Sequence, residues 1–129
     1  MAGDSTKKEK LFSTSGRVGR LSYFLRTLVI YLVTVVALFG AIFVLVNIVP
    51  HHISNQLAPL VGAGVGLIGS VIIILQAVKR FHDLNRPGIH FLLLLIPIYG
   101  LYISLLLLFQ RGTSGPNDFG EDPLAQPSM

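Results

Sequence analysis

The chain has 129 residues, 52% hydrophobic and 12% charged. Soluble domains usually carry about a quarter charged residues, so this composition excludes an ordinary soluble domain, and the length leaves no room for a membrane unit plus a separate catalytic one. The formal charge of +4 would suit nucleic acid, but every Lys and Arg lies outside the long apolar runs, where anionic lipid is the nearer partner; with no cysteine, disulfides and thiolate chemistry are excluded as well.

Residues 1–10 are polar and charged and form an expected disordered tail. A single membrane domain over 11–123 follows, with 124–129 a second tail. From Leu11 to Arg26, apolar residues recur among polar ones and Ser15 is a candidate N-cap, which predicts a short interfacial helix. The stretch 27–49 holds no charge, and about 23 residues at 1.5 Å each give roughly 34 Å, enough to cross a hydrocarbon core of ~30 Å. It exceeds the apolar core of a signal peptide and lacks a small-residue cleavage site. A second uncharged span covers 57–78 and is glycine-rich in its first half. Residues 79–89 form a basic loop with a turn at Asn85-Arg86-Pro87-Gly88. The third run, 90–109, is interrupted by Pro97 and Gly100 and is expected to kink and still span. A rival topology makes Ile96–Gly100 the tip of a re-entrant hairpin. Against it stands the cost of irregular backbone exposed to lipid.

The expected fold class is therefore all-α: an integral membrane bundle of three transmembrane helices with a short interfacial N-terminal helix. Lys7, Lys8, Lys10, Arg17, Arg20 and Arg26 flank the first span, the next loop carries no Lys or Arg, and Lys79, Arg80 and Arg86 follow the second. Short basic segments stay cytoplasmic, which places the N-terminus inside and, with three spans, the C-terminus on the opposite side.

Several motifs have bland readings that weigh more than the sharp ones. Gly64-Val65-Gly66-Leu67-Ile68-Gly69 matches a dinucleotide fingerprint, yet it lies inside an uncharged span with no strand before it. Ala58, Gly62, Gly66 and Ser70 recur every fourth residue, a face of small side chains suited to close helix packing within the chain or in a homo-oligomer. Lys79 with Arg86-Pro87 resembles the first motif of membrane lipid-phosphate phosphatases, but the serine-containing and Ser-Arg motifs of those enzymes are missing. His82-Asp83 is a candidate base and orienter; equally, Asp83 is the one acid among basic residues and a natural ion-pair partner for Arg17 or Arg20. No Asp, Glu, Lys or Arg lies within a span, which argues against a proton-coupled transporter. His51-His52 is an incomplete metal ligand set, so no metal or cofactor is implied.

Three blocks together carry a family resemblance: Gly16-Arg17-Val18-Gly19-Arg20-Leu21-Ser22-Tyr23, Lys79-Arg80-Phe81-His82-Asp83-Leu84-Asn85-Arg86, and the run from Gly112-Thr113-Ser114-Gly115 through Pro123. In order and spacing they resemble the bacterial inner-membrane family of domain of unknown function 805. The resemblance implies a small helical inner-membrane protein in which Arg17, Arg20, Arg80, His82, Asp83, Arg86, Asn117 and Gly120 matter, without implying an activity. The leading expectation is a non-enzymatic component whose cytoplasmic cluster of Arg17, Arg20, Lys79, Arg80, His82, Asp83 and Arg86 binds lipid headgroups or a membrane-protein partner. An enzyme acting on lipid phosphates and a small transporter are the alternatives.

Overall fold

The computed structural model describes residues 16–125, whose regular elements are all helical: α1 (Arg20–Asn47), α2 (His51–Asp83), a 3₁₀ segment (Gly88–Leu95) and α3 (Pro97–Phe109). Among the described residues no strand occurs, only an isolated antiparallel bridge between Asn117 and Gly120. The chain divides into two compact units, one of Leu25–Ile73 and one of the residues before and after that stretch.

The unit Leu25–Ile73 is a helical hairpin. Asn47 closes α1 by donating its side-chain amide to Phe43 O at 2.8 Å, and Pro50 O accepts the amides of Ile53 and Ser54 at 2.9 Å each, so the chain is helical again after three residues. The loop between the two expected spans, 27–49 and 57–78, is thus helical from His51 on. Thr34 lies against Gly69, where a Cβ would stand 2.6 Å from Thr34 Oγ1, and Leu38 Cδ1 is 3.8 Å from the same position on Gly62. The absent side chain at Gly69 is what lets the two backbones approach, the usual device where lipid offers no hydrophobic drive for association. Thr34 donates its hydroxyl to Ile30 O at 2.8 Å, which satisfies that polar group inside its own helix.

With 28 and 33 residues, α1 and α2 are about 42 and 50 Å long, both longer than the ~30 Å hydrocarbon core. Only 6% of the most apolar stretch of each is buried, and Val36, Phe39, Phe43, Leu60 and Leu67 point outward. A core helix of a soluble protein has the reverse distribution; apolar side chains presented outward along both helices suit contact with hydrocarbon.

The other unit begins irregularly. Gly16 has φ +93°, residues 16–19 are non-helical, and α1 starts where Gly19 O accepts the Tyr23 amide at 2.8 Å. The separate interfacial helix expected before the first span is therefore absent from residues 16–19, and its proposed cap, Ser15, lies outside the described residues. The turn expected after α2 is a helix stop: Asn85 adopts φ 54°, its amide reaches His82 O at 3.0 Å, and the Arg86 amide reaches Phe81 O at 2.9 Å. This is the Schellman pairing, with asparagine in the left-handed position that glycine usually takes and proline just after it.

The third apolar run departs from expectation. It is not one helix over 90–109 but a 3₁₀ segment and α3, separated by Ile96 in an extended conformation. Pro97 causes the break, because its ring disfavours helical geometry at the residue before it, while proline itself fits the first position of α3. Gly100 then lets α3 cross close to the preceding segment: a Cβ there would be 2.9 Å from the Leu94 carbonyl carbon. With 13 residues α3 is about 20 Å long, too short to cross alone. Val18, Tyr23, Ala77, Phe81, Ile103 and Leu107 form the core of this unit. The Val18 amide reaches Lys79 O at 3.4 Å and the Thr113 amide reaches Asp83 O at 2.8 Å. The N-terminal flank, the end of α2 and the C-terminal segment thus meet.

Candidate functional site

The meeting point is organised by Asp83, on the last turn of α2 and 2% exposed. Its Oδ1 accepts from Arg17 Nε at 3.1 Å, with Arg17 Nη2 also 3.1 Å away, and its Oδ2 accepts from Arg80 Nη1. One carboxylate cannot neutralise two guanidiniums, and the remaining donors go to backbone carbonyls. Arg17 Nη1 donates to Gly115 O at 2.6 Å and to Gly120 O at 3.3 Å, and Nη2 donates to Thr113 O. Arg80 Nε donates to Leu107 O at 2.8 Å, Nη1 to Val18 O at 3.4 Å and Nη2 to Gln110 O.

The two arginines hold different partners. Arg80 closes the C-terminal end of α3, whose last carbonyls lack helical donors and carry the negative end of the helix dipole. Arg17 gathers the turn-rich segment after α3. Both are buried, at 0% and 4% exposed, as is Lys79 on the same turn. Such burial is tolerable only because the fork-shaped guanidinium satisfies several acceptors at once. Gly112 is glycine for a related reason: a Cβ there would fall on the Asp83 carboxylate.

The C-terminal segment has its own order. Asn117 donates its side-chain amide to His82 O at 2.9 Å and accepts the Phe119 amide at 2.9 Å, while its backbone pairs both ways with Gly120, which has φ +135°. Phe119 stacks on His82 with ring centroids 4.2 Å apart and planes 2° from parallel. His82 Nδ1 faces Gly16 O at 3.3 Å. Asp122 accepts the amides of Leu124 and Gly115, each at 2.9 Å; these bonds, with Arg17 and Arg111 nearby, hold its carboxyl below the usual range.

The sequence-derived candidates therefore separate. Arg17, Arg80, His82, Asp83, Asn117 and Gly120 come together with buried Lys79 beside them. Of the two arginines offered as partners for Asp83, Arg17 makes the ion pair; Arg20 is exposed. Arg86 is half-buried and contributes its amide to the stop of α2. In the other unit Ala58, Gly66 and Ser70 are exposed and Gly62 is half-buried facing Leu38, while Gly69 makes the close approach to Thr34. Sequence reasoning missed the carbonyl acceptors at 107, 110, 113, 115 and 120 and the role of Asp122. Backbone acceptors leave no trace in residue identity; the glycines at 112, 115 and 120 were the available signal.

A family model described as "Protein of unknown function (DUF805)" matches residues 11–121. The chain is 31% identical over 109 residues to inner membrane protein YhaI of Escherichia coli strain K12, covering 84% of each protein. It is 33% identical over 96 residues to inner membrane protein YhaH of the same strain, covering 66% of this chain and 79% of that one. No solved structure matches. The match takes in all of α1, α2 and α3 and nearly all of the segment folded onto Arg17 and Asp83, and this chain belongs to the DUF805 family of inner-membrane proteins.

Proposed function

We propose that this chain is a non-catalytic membrane component that presents basic side chains to anionic lipid headgroups on the cytoplasmic side. α1 and α2 cross the bilayer, and the 3₁₀ segment with α3 forms a re-entrant hairpin whose apolar side chains enter the leaflet and return. The charge pattern supports a cytoplasmic N-terminal flank. The bonds from Arg17 to the C-terminal segment support the same side for that segment.

The observation that carries this reading is the division of the basic residues. Arg17 and Arg80 are buried on Asp83 and on carbonyls, whereas Arg20 and Arg111 are exposed at the same end of the unit. The buried pair holds the fold, and the exposed residues are left to meet headgroups, each such contact being worth about 1 kcal/mol near an anionic surface. The local geometry also disfavours His82-Asp83 as base and orienter: both Asp83 oxygens take arginines, while His82 is stacked on Phe119 and turned toward Gly16 O.

The test is to extract the protein with its surrounding lipid, without detergent, and to identify co-purifying lipids and proteins by mass spectrometry. The wild type should be enriched in anionic over zwitterionic lipid relative to the bulk membrane, and a variant with Arg20, Arg86 and Arg111 changed to Gln should lose the enrichment. A lipid profile equal to the bulk membrane would sink the reading. A stoichiometric protein that is lost with the variant would replace it with a partner-binding one.

A further inference from the structure

Arg20 stands where two hollows of different character join. On one side is a groove of about 390 Å³ walled by Leu21, Phe24, Leu108 and Phe109, apolar apart from Arg20 itself. On the other is a cleft of about 440 Å³ bordered by Arg20, Arg111, Thr113, Ser114 and Asp122, with Gly19, Gly112 and Asp83 also contributing. Each has the size of a site for a small ligand. An apolar groove and a polar cleft that are both lined by Arg20 match a molecule with an anionic head and a hydrocarbon tail.

Charge selects the head. The carboxylates at the cleft are already engaged, Asp83 by Arg17 and Arg80 and Asp122 by two backbone amides. Four guanidiniums, of Arg17, Arg20, Arg80 and Arg111, thus stand against two carboxylates, and the surplus lies on the exposed pair Arg20 and Arg111. The hydroxyls of Thr113 and Ser114 add donors suited to phosphate oxygens. The groove selects the tail: Leu21 is 68% exposed, Phe24 47% and Phe109 74%, a wall of large apolar side chains open to hydrocarbon.

Resting on the headgroup-binding reading above, we propose that the chain holds one anionic glycerophospholipid, its phosphate between Arg20 and Arg111 and an acyl chain along Phe24, Leu108 and Phe109. It is a defined, one-to-one site rather than a general attraction to the surface. The lipid bridges the start of α1 and the end of α3, and so covers the flank of the unit that the arginine–aspartate cluster leaves open.

Native mass spectrometry of the full chain in mild detergent, titrated with phosphatidylglycerol or phosphatidylcholine of equal chain length, tests this. The wild type should retain one phosphatidylglycerol selectively. Arg20→Gln and Arg111→Gln should each weaken retention about fivefold, the factor for one basic contact with an anionic lipid surface. Phe109→Ser, which leaves every charge in place, should weaken it too, and soluble glycerol phosphate should not displace the lipid. All three positions are exposed, so melting temperatures should match the wild type. A variant that melts early is replaced by Arg20→Lys or Arg111→Lys, each of which should keep charge and lose selectivity for a phosphate held by the planar fork. Selective retention that survives the double Arg→Gln variant overturns this site while leaving headgroup binding elsewhere intact. Displacement by glycerol phosphate, or indifference to Phe109→Ser, overturns the groove's part and with it the proposal. No preference for phosphatidylglycerol in the wild type overturns both readings.

Discussion

Asp83 is a carboxylate between two guanidiniums, and the way those guanidiniums distribute their donors explains why arginine is needed. A lysine has one nitrogen, which could reach the carboxylate or a carbonyl of the C-terminal segment; Arg17 reaches Asp83 and the carbonyls of Thr113, Gly115 and Gly120 together. Asp83→Asn would leave two buried guanidiniums without a counter-charge, and removing one partner of a buried pair costs about 3–5 kcal/mol. A large loss of thermal stability in detergent is expected for that variant, and Arg17→Lys, with its charge kept, should lose a sizeable part of the same amount. Arg20→Gln at the exposed neighbour should stay within about 0.5 kcal/mol of wild type. Exchanging the charges, with Arg17→Asp and Asp83→Arg combined, should recover only part of the stability, because the carbonyls would lose their donor. Full recovery, or an unaffected Asp83→Asn, would reduce the cluster to a surface ion pair.

At the scale of the elements, the two long helices were legible in the sequence and the third was not. An uncharged apolar run of more than 20 residues leaves the backbone little choice but to pair with itself as a helix, so 57–78 and all but the last two residues of 27–49 fall within observed helices. The second helix extends beyond its apolar run at both ends, since the residues at 51–56 and 79–83 are also compatible with helix. The run 90–109 has the same composition, and what divides it is the placement of Pro97 and Gly100 rather than any loss of hydrophobicity. From sequence those residues fit a kinked span as well as a hairpin. The end of α3 is held by non-local bonds, above all Arg80 to the carbonyls of Leu107 and Gln110, which no periodicity encodes. Gly100 then tests the hairpin itself. Gly100→Val would drive a side chain into the Leu94 backbone, and overpacking of this kind costs at least about 1–3 kcal/mol. Gly66→Val, at a position with open space around it, should leave the melting temperature close to wild type. Equal effects at the two positions would contradict the hairpin.

For the whole molecule, the site residues were legible as types, and the packing around them was not. The charged residues near the second block stood out because Asp83 is the single acid among them, and the ion pair with the N-terminal flank followed from that. Their burial did not follow, because it depends on a C-terminal segment whose glycines, proline and asparagine read only as turns. Once that segment is folded onto Arg17, Asp83 and His82, this unit has a buried part, with Arg17, Arg80 and Asp83, and an exposed part that carries Arg20 and Arg111. The proposed topology puts the N-terminal and C-terminal flanks on one side of the membrane. The chain has no cysteine, so single cysteines introduced at Ser5, His52 and Ala125 can be labelled with a membrane-impermeant maleimide in right-side-out and inverted vesicles. Ser5→Cys and Ala125→Cys should react together in inverted vesicles, and His52→Cys in right-side-out ones. Labelling of Ala125→Cys together with His52→Cys would mean that the third segment crosses the bilayer, and would contradict the account.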